Sequence, residues 1–372
     1  MKIEVYSPTI RRKEMDAVLT AMVEDRIGPG ERSRLLIQTA KEQLRFDYAL
    51  ALRSPATALH LALKALDLEE GQGVIISALS PRYYAQTLAD LRLVPLYGDV
   101  SYTFPCMSRE SIEKALEKKP DGVQARCIVL HHTLGFQPDT ASIAELGLPV
   151  IEDISQSYGV PAATAAAELA KETAEQGITP NSHKEENSGA ESKERVQGVF
   201  TILGLEERDM LTSGGGALLY AMNRRDASVL RNYAGIPPEY CLPDINAALA
   251  TVQFKEAVRN MERRQEIARI YTQASLRTKH KRFIPLEEGE YNNYAFSLIL
   301  ESGLKDVVAY ARKKEIAVES AFEYTLAGAG ISDSGACPVS YSLSLRTVLF
   351  PLYPRLRSPE AERVSKLIMT LP

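Results

Sequence analysis

Seven short apolar runs, each bounded by turn residues, recur through the first two-thirds of the chain and limit its fold more than any other feature. They are Asp47–Leu52, Gly73–Ser77, Leu93–Leu96, Arg126–Leu130, Pro149–Glu152, Gly198–Leu203 and Gly215–Met222. Several are apolar throughout rather than alternating, the pattern of strands buried on both faces of a parallel sheet. Helix-period segments such as Thr57–Leu66, Tyr84–Leu91 and Arg109–Glu117 lie between them. Strands that alternate with helices predict an α/β, doubly wound domain with a mostly parallel central sheet and flanking helices.

The flanks read differently. Pro8 precedes an amphipathic run, Arg11–Val23; Gly28-Pro29-Gly30 breaks it, and Arg32–Phe46 resumes, so residues 1–46 are expected to be helical. From Asp244 a long helical stretch runs Ile245 to Leu276, and a last helix is expected over Pro359–Leu371. We therefore expect a large α/β domain over residues 1–243 and a smaller C-terminal α+β domain over 244–372. At roughly 100–200 residues per domain, a chain of 372 residues accommodates both. One segment breaks the pattern. Residues 161–197 contain no aromatic side chain; the first half could form an Ala-rich helix, and the second, rich in Asn, Ser, Glu and Lys, reads as a disordered insertion.

Composition removes several classes of function. With 44 Lys+Arg against 48 Asp+Glu, the formal charge of −4 offers no footprint for nucleic acid or for an anionic membrane. Cys106, Cys127, Cys241 and Cys337 are widely spaced without a CxxC pair, so neither a metal site nor a disulfide framework is expected. The first residues become charged too early for a secretory signal, and no apolar run approaches the roughly 18 residues of a membrane span. A cytoplasmic protein is the expectation.

The run Val150-Ile151-Glu152-Asp153-Ile154-Ser155-Gln156-Ser157-Tyr158-Gly159 places a carboxylate at the C-terminal end of a predicted buried strand, where open α/β sheets bind ligands. A carboxylate there needs a cation or hydrogen-bond donors, or it caps the next helix. In this run, and in five others in register with it, the chain resembles the DegT-type sugar aminotransferases, pyridoxal-phosphate enzymes of fold-type I. Pro8…Glu14…Ile27-Gly28-Pro29-Gly30 is similar to the family's opening helix and glycine turn. Ala51–Leu63 is similar to its phosphate-cup turn, and Gly71–Ala89 to the segment bearing the aromatic that stacks on the cofactor ring. Leu211–Tyr220 is similar to the glycine-rich segment after the cofactor lysine, and Arg346–Leu356 with Ser358–Leu367 to the C-terminal element. The likeness covers nearly the whole chain.

The resemblance implies roles. Pyridoxal phosphate is an electron sink only while its pyridine nitrogen stays protonated, which requires a facing carboxylate; that role falls on Asp153, with Gln156 near the ring's oxygen substituent and Tyr84 stacking. The phosphate needs donors at a helix N-terminus, where Ser54 begins the matching turn. The family builds its site across two subunits, so a homodimer is implied.

Here the chain departs from the pattern of the family it resembles. Its 17 lysines include none between Lys193 and Lys255. The lysine position falls on Arg208 when counted back from Gly214-Gly215-Gly216, and on Glu206 when counted forward from Phe200. An arginine, effectively always protonated, neither forms a Schiff base nor acts as a base. The phosphate turn, Ser-Gly-Thr in the family, reads Ser54-Pro55-Ala56, which removes a backbone donor and a hydroxyl. The family's Asn-Tyr-Arg stretch reads Glu239-Tyr240-Cys241.

The leading expectation is a catalytically degenerate member without a covalent cofactor, serving as a binding, regulatory or structural protein. Its partners would be a nucleotide-sugar ligand or an active paralogue. The alternative is an active pyridoxal- or pyridoxamine-phosphate-dependent aminotransferase or dehydratase acting on a nucleotide-linked keto-sugar in polysaccharide biosynthesis. It would bind its cofactor non-covalently and use Glu206 or Glu207 as base. An interaction module built on residues 161–197 is a third class. His131-His132 does not read as a metal site, since adjacent strand residues point to opposite faces. Gly214-Gly215-Gly216 reads as a turn between strands, and Tyr291–Phe296 as strand packing.

Overall fold

The computed structural model describes residues 2–159, 198–287, 291–301, 303–332 and 334–372. The proposed insertion at 161–197 lies outside the described residues. Each of the seven apolar runs forms a strand: β1 Tyr48–Leu52, β2 Gly73–Ser77, β3 Val94–Gly98, β4 Ala125–His131, β5 Val150–Asp153, β6 Phe200–Gly204 and β7 Ala217–Ala221. They make one sheet in the order β1-β7-β6-β5-β4-β2-β3. The pairs from β6 to β3 are parallel, and β7 runs antiparallel to both β6 and β1.

The sheet is covered on both faces, which explains the unbroken apolar runs. Phe200 and Ile202 of β6 join Leu219 of β7 in the core beneath the helix Pro55–Ala65. Leu203 and Leu218 point the other way, into a core completed by Phe254 of the long helix Asp244–Ser275. Fully burying each such side chain contributes about 1.5–3 kcal/mol. A second sheet, β8 Phe296–Ile299, β9 Glu319–Ser320 and β10 Thr347–Phe350, is antiparallel in the order β8-β10-β9. The segment Tyr291–Ala295, expected to be strand, is instead a connection, because only Phe296 enters the β8–β10 ladder. Tyr291 makes a single bridge to Phe136 and stacks on its ring.

Two N-terminal helices, Arg12–Val23 and Glu31–Leu44, pack on the long helix. Asp244, 1% exposed, joins them to it. Its carboxylate accepts from the backbone of Gly30 (2.9 Å), Arg32 (3.0 Å) and Ser33 (2.9 Å), and from Ser33 Oγ (2.9 Å). A Cβ on Gly30 would sit 2.9 Å from Asp244 Oδ2, so the glycine turn is fixed by this close approach.

Candidate functional site

The parallel strands β4, β5 and β6 end at a common edge, and a cavity of about 310 Å³ opens there. The second sheet closes it from the opposite side through Glu319 and Ser320 of β9 and through Phe322 and Tyr324. The backbone zips that closure shut: Pro81 pairs with Thr325, and Leu326 N donates to Ser80 O at 3.0 Å.

Asp153, the last residue of β5, lies at the floor, 1% exposed. Four donors satisfy it. Tyr83 OH (3.0 Å) and Tyr84 OH (2.8 Å) donate to Oδ2, while Ser155 donates to Oδ1 from its backbone N–H (3.0 Å) and its hydroxyl. Ser155 Oγ in turn accepts from Gly204 N at 2.7 Å, tying the turn after β5 to the end of β6. The expected ring-stacking residue, Tyr84, is wholly buried behind the wall; Tyr83 lines the cavity instead. Neighbours on a helix point about 100° apart, so one residue of register decides which ring faces the ligand.

Gln156 lines the cavity as expected, but its Oε1 is engaged by Leu134 N at 2.7 Å. Leu134 holds φ +56°, a left-handed conformation that costs any residue with a Cβ and lies here beside the site. Asn292 fixes the same turn, donating from Nδ2 to Gln156 O (2.8 Å) and Tyr158 O (2.9 Å). Ser54 is turned inward on its own helix. Its Oγ accepts from Thr57 N at 3.1 Å as the N-cap, and Pro55 is the residue on the cavity wall. Glu239-Tyr240-Cys241 lies beside that turn, with Arg53 Nε donating to Glu239 O at 2.9 Å.

The loop after β6 supplies most of the site's charge. Glu206, Arg208 and Asp209 all line the cavity. Arg208 leans across it to Glu319, with Nη1 2.5 Å from Oε1, and lies over the rings of Tyr6 and Tyr324. Glu206 is raised above the ordinary carboxylate range by burial. Asp209 is pushed up to about 7, first by burial and then by the nearby charges of Asp153 and Glu206. Gly204 makes the room: a Cβ there would sit 2.2 Å from Asp209 Oδ2. Among the described lining residues, four carboxylates (Asp153, Glu206, Asp209, Glu319) face one guanidinium and no lysine.

The two histidines diverge. His131 is on the cavity wall, whereas His132 is fully buried between Ser157 Oγ (2.7 Å) and Glu152 Oε2 (3.1 Å). This Ser–His–Glu chain has the order of a nucleophilic triad but lies outside the cavity lining. Glu152 also accepts from Thr140 Oγ1 (3.1 Å) and Gly198 N (2.6 Å), so the chain pins strand ends together. Sequence reasoning weighed His131 only as a metal ligand and passed over Tyr83, Asp209 and Glu319. Only Asp209 carried a sequence signal, as the last of four consecutive charged residues, 206–209, that follow a buried strand.

The family profile described as the DegT/DnrJ/EryC1/StrS aminotransferase family matches residues 8–171 and 221–369. The chain belongs to that family. The match omits residues 172–220, the span that carries Glu206, Arg208, Asp209 and the three glycines. EpsN of Bacillus subtilis (strain 168), whose name assigns it to the pyridoxal phosphate-dependent aminotransferases, is 24% identical over 338 residues, 86% of this chain and 80% of its own. The aminotransferase TlmJ from Streptoalloteichus hindustanus superposes with a TM-score of 0.78 at 18% identity, covering 99% of this chain and 98% of that one. A GDP-4-keto-6-deoxymannose-3-dehydratase solved with GDP-perosamine gives a TM-score of 0.77 at 14% identity over 98% of this chain and 100% of its own. The fold is that of these aminotransferases. No helix among the described residues is long and apolar enough to cross a membrane.

Proposed function

We propose that this chain is a non-transaminating member of the sugar aminotransferase family, one that uses the family cleft to bind a ligand rather than to hold a Schiff base. The observation that carries this reading is Arg208. It occupies the lysine position counted from the glycine turn, and it is held by Glu319 instead of being free to react. Bound pyridoxal phosphate would supply an electron sink for amino transfer. The residues present do not fit it. The Asp153 oxygen nearest the tyrosines already accepts two hydroxyls, leaving poor provision for a pyridinium N–H. At the phosphate end Ser54 is committed to Thr57, and Pro55 has no N–H to give. The surrounding charge is predominantly negative, which disfavours a phosphate.

The apolar face of the helix Arg12–Val23 supports a homodimer as the working form. Met15, Leu19, Met22 and Val23 are each at least half exposed there, more contiguous apolar surface than isolated side chains present. An active paralogue would fit the same face, and mass measurement of the purified and co-expressed forms separates the two.

The reading is tested by titrating the protein with pyridoxal phosphate and with pyridoxamine phosphate while following absorbance and thermal stability. The expected result is no Schiff-base band and no amino transfer to a keto-sugar. Amino transfer by the unmodified chain overturns the proposal.

A further inference from the structure

The cavity offers a ligand both donors, the Gln156 side-chain amide and the Tyr324 hydroxyl, and a group of acceptors that outnumbers its one guanidinium. His131 is 3% exposed and lies on the wall. Its Nδ1 is hydrogen-bonded to Thr133 Oγ1 at 3.0 Å, and Thr133 Oγ1 also donates to the His131 carbonyl at 3.4 Å; on that pairing we assign the ring proton to Nδ1. That tautomer leaves Nε2 a bare lone pair, and Nε2 has no hydrogen-bond partner among the described residues. Burial lowers the ring to about 4, so it is neutral at pH 7 and accepts rather than donates. The Asp209 carboxylate receives one bond, from Glu206 N at 2.8 Å on Oδ2. Glu206 stands beside it on the same loop. Tyr83, Tyr294 and Tyr324 supply aromatic wall, and the Tyr324 ring already carries the guanidinium groups of Arg82 and Arg208. The single guanidinium is already matched by Glu319.

We propose that this cavity binds a small amine-bearing ligand, its ammonium held by Asp209 and Glu206 and hydrogen-bonded to His131 Nε2. The inference rests on the non-transaminating reading, since a covalently held phosphate cofactor would occupy the same space. A three-donor ammonium meets three acceptors, of which Asp209 and Glu206 each take only a backbone hydrogen bond, from Glu206 and Gly216. An anion would meet four carboxylates.

Asp209 makes the binding pH-dependent. The groups that act on it electrostatically are Asp153 at the end of β5, Glu206 on its own loop, Tyr83 from the helix Tyr83–Asp90, Tyr294 from the segment before β8, and Tyr6 from the N-terminal arm. Arg208, the adjacent cation, is turned to Glu319. A cationic ligand selects the ionised form of Asp209, so affinity rises as pH climbs from 6 to 8.

The test uses two probes of nearly equal shape, serinol and glycerol, which differ in an ammonium for a hydroxyl, with inorganic phosphate as the anionic control. Binding is followed by ligand-observed NMR on the full chain at pH 6, 7 and 8. Serinol is expected to bind at least tenfold more tightly than glycerol, more tightly at pH 8 than at pH 6, with phosphate not competing. Asp209→Asn is expected to lose about tenfold in serinol affinity and most of the pH dependence while keeping a cooperative unfolding transition. His131→Gln, which leaves the carboxylates in place, is expected to weaken serinol without altering that pH dependence. Serinol binding no tighter than glycerol, or phosphate binding in preference to both, overturns the inference. A parallel addition of pyridoxal phosphate keeps the two readings apart. A Schiff-base band with amino transfer defeats the non-transaminating reading, whereas no band together with no serinol preference defeats the amine site alone.

Discussion

Arg208 and Glu319 meet at 2.5 Å across the mouth of the cavity, joining the loop after β6 to the two-residue strand β9 of the second sheet. The arginine side chain is 47% exposed, so the pair is an open ion pair rather than a buried one. Open pairs contribute little net stability, typically under about 1 kcal/mol. Arg208→Ala should therefore shift the denaturant midpoint only slightly. Arg208→Lys should also fail to yield a Schiff base with pyridoxal phosphate, because Asp153 and the Ser54-Pro55 turn are unchanged. Appearance of that band in the variant would show that the lysine alone was missing.

Asp153 depends on its tyrosines. Tyr84 is wholly buried and donates at 2.8 Å, and Tyr83 donates to the same oxygen at 3.0 Å. Hydrogen bonds to a charged group are worth about 1.5–3 kcal/mol. Tyr84→Phe should lose about that much in chemical denaturation, Tyr83→Phe somewhat less because it borders the cavity. The double variant should lose more than the sum, since the last strong donor on Oδ2 goes with it. Strict additivity would mean that solvent replaces the tyrosines.

The raised Asp209 carboxyl, at about 7, predicts a stability profile of definite sign. The native state holds a proton there that the unfolded chain, with its ordinary carboxyl near 4, releases between about pH 4 and 7. The native state thus binds more protons over that window, and this residue lowers stability as pH rises through it. Asp209→Asn should stabilise the fold at pH 8 and have little effect at pH 4. With partial solvent access discounting the full shift, the gain is about 1–2 kcal/mol. Thermal melts at the two pH values check the sign.

On the helix Arg12–Val23, Leu19 and Val23 are 55% and 83% exposed. Leu19→Glu should leave the monomer fold intact, because the side chain is not part of its core, and should dissociate a dimer formed through this face. Sedimentation velocity before and after the change decides it; an unaltered oligomer places the interface elsewhere.

The legible parts of this protein are those set by local pattern. The run Gly73–Ser77 is apolar at nearly every position because both faces of β2 are covered, and its limits in the sequence and the fold coincide. Arg109–Glu117 is equally plain, with Ser108 as its cap. The segment 291–296 misled because aromatic residues pack equally well from a connection, where Asn292 and Tyr291 brace the site, as from a strand. Asp153 could be located from its strand end. That its carboxylate is saturated could not, since Tyr83 and Tyr84 lie 70 and 69 positions away. Glu319 was invisible for the same reason, being 111 positions from Arg208 on a strand too short to have a pattern. Pairwise contacts across the chain, rather than local propensity, decide the chemistry here.

Ser33 and Asp244 are 211 positions apart, and all seven strands of the large sheet lie between them in the chain. During synthesis the first two helices therefore emerge long before the carboxylate that anchors their junction exists. Closing so long a loop is slow, and until it closes the glycine turn has no acceptor for its N–H groups. The N-terminal arm is accordingly expected to dock late, which pulse-labelled hydrogen exchange checks: its amides should gain protection after those of the middle of the chain. Removing the arm would take away the four donors of Asp244 and uncover that carboxylate and the helix face beneath it to water. The opening helices are thus not an appendage to be trimmed but one half of the joint that Asp244 makes with them.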